Sequence, residues 1–90
     1  MNPSEREQLR LSLLRFLGAN NTRFGLGSSL LEQMARSEGR PSLTKAEVEE
    51  ELEYLVDKGF SGEFQKPLSP ENRAWKITAE GRDFLAQYQA

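Results

Sequence analysis

The stretch Thr44-Lys45-Ala46-Glu47-Val48-Glu49-Glu50-Glu51-Leu52-Glu53-Tyr54-Leu55-Val56-Asp57-Lys58-Gly59-Phe60 carries the clearest local instructions in the chain. Thr44 followed three residues later by Glu47 fits a capping box, in which each side chain satisfies a backbone N–H at the other's end. Behind it Val48, Leu52, Leu55 and Val56 repeat at i, i+4, i+7 and i+8, the spacing of one helical face. Gly59 then supplies the conformational freedom a helix exit requires. A helix from Thr44 to Gly59 follows.

Working outward toward the N-terminus, Ser4 with Glu7 fits another capping box, and Leu9, Leu13, Phe16 and Leu17 recur at helical spacing. This predicts a first helix from about Ser4 to Leu17, ending at Gly18. The following GANNTRFGLG reads as a loop, with room for a very short strand in Arg23-Phe24-Gly25-Leu26. Ser28 or Ser29 is placed to cap a second helix with Leu30, Leu31, Met34 and Ala35 on one face, terminated by Gly39 and Pro41.

Working outward toward the C-terminus, the period changes after Gly59. Phe60 and Phe64, a Pro67-Leu68-Ser69-Pro70 turn, and Trp75 and Ile77 alternating with Arg73, Ala74 and Lys76 describe a two-stranded hairpin. Thr78 is placed to cap a last helix carrying Phe84, Leu85 and Tyr88, with Gly81 as a weak point costing about 1 kcal/mol relative to alanine. The large aromatics, Trp75 and Phe84 above all, are expected in the core.

Ninety residues, 37% hydrophobic and 29% charged, suit one folded domain over residues 1–90, of α+β class and mostly α. The opening MNPSEREQLR is polar, without the apolar run of a secretory signal, so cytoplasmic residence is expected, with no membrane attachment. Cysteine and histidine are absent. That removes disulfides, thiolate nucleophiles, Cys/His zinc sites and the commonest proton carrier near neutral pH. No nucleophile is spaced to a base and no glycine-rich phosphate loop precedes a helix, so neither catalysis nor a cofactor is expected.

The succession of helix, short strand, helix, turn, helix, hairpin and helix resembles the winged helix-turn-helix superfamily. Leu43 to Phe60 looks like its third helix with the exit glycine. Trp75-Lys76-Ile77-Thr78-Ala79-Glu80-Gly81-Arg82-Asp83-Phe84-Leu85 resembles its last wing strand, Thr-x-x-Gly and final helix. The resemblance implies a three-helix core, a β-wing of two or three strands and a C-terminal helix. Many such domains are bacterial or phage transcription regulators, and a minority use the fold to bind proteins.

Charge distribution bears on that choice. Residues 1–43 carry six Arg against four Glu, residues 44–58 two Lys against six acids, and residues 59–90 four against four. In DNA-binding members the third helix enters the major groove, which demands a neutral or basic outer face. Here, with Val48, Leu52 and Leu55 inward, Glu49, Glu50, Glu53 and Asp57 point outward. This face is either a solvated surface or a docking surface for a basic protein partner. A DNA mode requires the helix to enter by its N-terminal end, where Arg40, Ser42, Thr44 and Lys45 cluster beside backbone N–H groups, with Lys66, Arg73 and Lys76 added by the wing. The ordinary alternative for these residues is plain surface charge. Superfamily weight tips the expectation narrowly toward a DNA-binding regulator. Leu11, projecting opposite the core stripe of the first helix, pairs with Tyr88 as a candidate homodimer contact; otherwise it is a single exposed leucine.

Overall fold

The first helix, α1 (Pro3–Ala19), is the axis around which the other elements pack. It starts earlier than the Ser4–Glu7 signature suggests. Pro3, whose missing N–H is no loss in a first turn, opens the helix, and Asn2 caps it by accepting from the Glu5 amide at 2.8 Å. It passes Gly18 and closes at Asn20, whose backbone and side-chain N–H groups both donate to the Phe16 carbonyl. Leu9, Leu13, Leu14 and Leu17 are all buried. Leu14, off the Leu9-Leu13-Phe16-Leu17 stripe, also belongs to the core, because α1 is covered by helices on several sides and by the sheet.

The computed structural model describes residues 1–20, 23–64 and 73–89. After α1 come β1 (Leu26–Gly27), α2 (Ser28–Ser37), α3 (Lys45–Asp57), β2 (Ser61–Glu63), β3 (Ala74–Ile77) and α4 (Ala79–Gln89). The described residues form a small, mostly helical α+β domain whose three-stranded antiparallel sheet has the order β1-β3-β2. None of the described helices is long and apolar enough to cross a membrane.

β3 is the centre of that sheet. Leu26 pairs with Trp75 on one side, and Ser61, Gly62 and Glu63 pair with Ile77, Lys76 and Trp75 on the other. Alternation along β3 sends Trp75 and Ile77 into the core, at 0% and 5% exposure, and leaves Lys76 on the outer face. The buried indole N–H donates to Ser28 Oγ at 2.8 Å. This changes the expected start of α2. Ser28 is the helix's first residue and turns inward to serve Trp75, so Gly27 occupies the capping position without a side-chain bond. Of the four apolar residues expected on one face of α2, only Leu31 and Ala35 are fully inside; Met34 is half-buried and Leu30 is exposed, a narrower face than the sequence suggests.

α3 follows its sequence signature closely. Glu47 N–H donates to Thr44 Oγ1, and the Glu47 carboxylate accepts from the Thr44 amide at 3.0 Å, completing the box. Val48, Leu52 and Leu55 are buried, and Gly59 leaves the helix at φ +81°. The Pro67–Pro70 turn lies outside the described residues, but the strands flanking it pair as a hairpin.

Thr78 does cap α4: its hydroxyl accepts from the Gly81 amide at 3.0 Å and donates to the Gly59 carbonyl at 2.6 Å. Phe84 is half-buried rather than fully inside, stacked on Phe60 with ring centroids 4.7 Å apart. Gly81 is not the weak point its position implies. A Cβ there would collide with the Phe60 carbonyl oxygen and press on Ile77, so α4 reaches the sheet only because this residue has no side chain. Gly81→Ala, which on helix propensity alone should stabilise by about 1 kcal/mol, is expected to destabilise by about 2 kcal/mol or more. Urea unfolding of the two proteins decides the sign.

Candidate functional site

α3 turns Val48, Glu51, Leu52 and Leu55 inward and leaves Ala46, Glu50, Glu53, Tyr54 and Asp57 exposed, with Glu49 half-buried beside them. Glu49, Glu50, Glu53 and Asp57 thus fall on one outer face, as the sequence places them. Like charges at the i, i+4 positions Glu49, Glu53 and Asp57 cost about 0.2–0.5 kcal/mol per pair in an isolated helix. Arg73 relieves this at Glu53. Arg73, just ahead of β3, donates to both Glu63 carboxylate oxygens at 2.7 and 2.9 Å and to Glu53 at 3.0 Å.

The Arg73 guanidinium also lies over the Trp75 ring, 4.6 Å from its centroid. The fork to Glu63, and less strongly the bond to Glu53, hold Arg73 above its ordinary pKa against the opposing effect of burial. Correspondingly Glu63 is held below the usual carboxylate range by its hydrogen bonds from Arg73, against the opposing effect of burial. Two bonds in a planar fork are the stronger kind of ion pair, and here they tie Arg73 to Glu63 across the hairpin, while the single bond to Glu53 links the hairpin to α3. Arg73, expected to face DNA from the wing, is thus spoken for by carboxylates.

Arg40 is similarly engaged. Its guanidinium reaches Glu38 at 3.2 Å, Ser12 Oγ at 3.3 Å and the Ala35 carbonyl at 3.5 Å, tying the α2–α3 turn to α1. Burial pushes Glu38 upward, but the hydrogen bonds from Ser12 and Arg40, with Arg15 nearby, outweigh it and leave the carboxyl below its ordinary value. Ser42 is exposed on this turn, the Thr44 hydroxyl and amide are occupied by Glu47, and Lys45 is half-buried at the first position of α3. The adjoining groove, about 500 Å³, is lined by Glu5, Glu38 and Glu47 as well as Arg40.

The seven residues read as a basic rim therefore do not assemble as one surface. Arg40, Ser42, Thr44 and Lys45 stay together at the turn, Arg73 lies against the middle of α3, and Lys76 faces outward from the sheet with its ammonium 3.5 Å from the Arg23 carbonyl. Lys66 lies outside the described residues. Comparison with protein-family models, with curated proteins and with solved structures finds no match to this chain.

Leu11 and Tyr88 lie on one groove. Both line a groove of about 460 Å³ between α1, the end of α3 and α4, whose wall includes Leu14, Tyr54, Phe60 and Phe84. Leu11 is half-buried, and Tyr88 is 61% exposed. The Arg10 guanidinium covers the Tyr54 ring at 3.6 Å.

One pair is not among the sequence expectations. Glu51, 2% exposed, meets Arg10 Nε at 2.6 Å, a charge pair between α3 and α1 at the edge of the core. The signal is present in the spacing: Glu51 sits three residues after Val48 and four before Leu55, on the stripe that those two define. Removing one member of such a pair strands a desolvated charge. Arg10→Ala is expected to cost about 3 kcal/mol, and Arg10→Leu/Glu51→Leu much less than the sum of the single changes, as a double-mutant cycle by chemical denaturation measures.

Glu63 has its folded pKa depressed, so the stability it contributes is fully present above the ordinary carboxylate range and is lost as pH falls through it and below. A plot of Tm against pH should therefore fall less steeply on the acid side for Glu63→Gln than for the natural protein; parallel curves would exclude this linkage.

Proposed function

We propose that this chain is a cytoplasmic winged-helix domain that acts by binding and not by catalysis, and that it docks a basic protein or peptide segment on the outer face of α3. The order α1-β1-α2-α3-β2-β3-α4, with sheet order β1-β3-β2, supports the winged-helix reading. The observation that carries the docking reading is the line of Glu49, Glu50, Glu53 and Asp57 outside α3, with Arg73, which bonds Glu53 on that face, already forked onto Glu63. In a major groove, phosphates close to Glu50 or Asp57 would meet a repulsion of roughly 1 kcal/mol per contact even in a water-like medium. A helix or extended segment bearing Arg or Lys meets the opposite sign.

A second reading, a DNA-binding regulator, draws on the α2–α3 turn, where Arg40 and Lys45 lie beside the N-terminal amides of α3. Its weakness is that Arg40 is bonded to Glu38 and the neighbouring groove is lined with acids. The groove holding Leu11 and Tyr88 suits a contact between two copies under either reading.

Fluorescence anisotropy separates the two readings. A labelled arginine-rich peptide is expected to bind the natural protein at low salt and to be released by Glu50→Lys/Asp57→Lys, while a random DNA duplex does not bind through α3. Duplex binding that weakens steeply with salt and disappears in Arg40→Glu/Lys45→Glu would overturn the docking reading in favour of the regulator.

A further inference from the structure

The outer face of the sheet differs in chemistry from α3. Strand alternation puts Gly62, Phe64, Ala74 and Lys76 on that face, while Ser61, Glu63, Trp75 and Ile77 face the helices. Glu63, the only carboxylate on the described strands, is thus on the other side, held by Arg73. Phe24, 66% exposed, meets Phe64 edge to face with ring centroids 6.3 Å apart. The Arg23 guanidinium stands 5.6 Å from the Phe24 ring, and the Lys76 ammonium reaches the Arg23 carbonyl. Neither cation is ion-paired with a described residue.

The floor between these groups is low. Gly62 faces open space, and Gly25, at φ +76°, lets the chain lie against the Trp75 carbonyl, where a Cβ would come within 2.5 Å of the oxygen. An exposed aromatic ring beside two cations that hold no carboxylate among the described residues, on the outer face of the strands, matches one ligand chemistry in particular. Unpaired bases stack on such rings and tolerate any sequence, while the adjacent phosphates take the cations. A duplex keeps its base faces stacked inside and cannot use Phe24 in this way.

We propose that the outer face of the sheet, through Phe24, Phe64, Arg23 and Lys76, binds single-stranded nucleic acid. This surface is separate from the acidic face of α3, and it stands or falls independently of the docking reading.

The test is anisotropy with a labelled oligothymidylate and with a duplex of matching length, over a salt series. The single strand should bind more tightly than the duplex. Phe24→Ala should weaken it on the order of tenfold with the salt dependence unchanged, and Phe24→Trp should restore it. Arg23→Ala/Lys76→Ala should lower the slope of log affinity against log salt by about 0.7 for each phosphate no longer neutralised. Circular dichroism should be unchanged in all three variants, and Phe24→Ala should keep its affinity for the arginine-rich peptide. No single-strand binding at low salt, equal affinity for the duplex, or no effect of Phe24→Ala overturns the proposal. So does self-association of the natural protein that Phe24→Ala abolishes while the oligothymidylate stays unbound, which would make this face an interface between copies.

Discussion

Trp75 is the largest side chain wholly inside the protein, and its indole N–H has to find an acceptor there. A buried donor left without one costs about 1–3 kcal/mol, a sizeable part of what holds a domain this small together. Ser28 is that acceptor, and several other features follow from the choice. With Ser28 turned inward, α2 begins without a side-chain cap, directly at the end of β1, and the Ser28 amide donates to the Arg73 carbonyl. β1 therefore has to lie beside β3, and Arg73, two residues before Trp75, is set down where its guanidinium covers the indole and its fork reaches Glu63. The acidic helix and the hairpin are joined through a residue whose position the tryptophan decides.

The parts of this fold that can be read from the sequence are those whose causes lie within a few residues. Thr44 and Glu47 satisfy each other across one turn, Gly59 ends what Val48 to Val56 began, and Thr78 bonds the Gly81 amide; each is a local arrangement visible as spacing. Where the cause is distant, local rules mislead. Ser28 looks like a cap and is claimed by a residue 47 positions away. Gly81 looks like a flaw in a helix, and its reason is the Phe60 carbonyl across the junction. At α1 two local signals compete, and Pro3 with Asn2 prevails over Ser4 with Glu7 because proline suits the first turn.

The candidate site divides in the same way. That Glu49, Glu50, Glu53 and Asp57 share a face is a matter of helical arithmetic, and that Leu11 and Tyr88 line one groove follows from packing α4 on α1. Which cations remain available is not written in any spacing. Arg40 and Arg73 look alike in sequence to Arg23 and Lys76, yet the first two are taken up by carboxylates and the last two are not ion-paired with described residues. A side chain's charge is a property of its residue, whereas its availability is a property of the neighbours that the fold brings to it.

The Arg10–Glu51 pair has a consequence for the opposite side of its helix. α3 contains six acidic residues, and one of them is turned inward onto a guanidinium. Successive residues on a helix are rotated by about 100°, so slipping α3 by one position against α1 would draw Glu51 away from Arg10 and push Glu50 toward the leucines. An unpaired carboxylate in either place is penalised heavily. The Arg10–Glu51 contact behind α3 acts as a keyway for its rotation: the hidden glutamate fixes the angle at which Glu50, Glu53 and Asp57 are presented to whatever approaches from solvent.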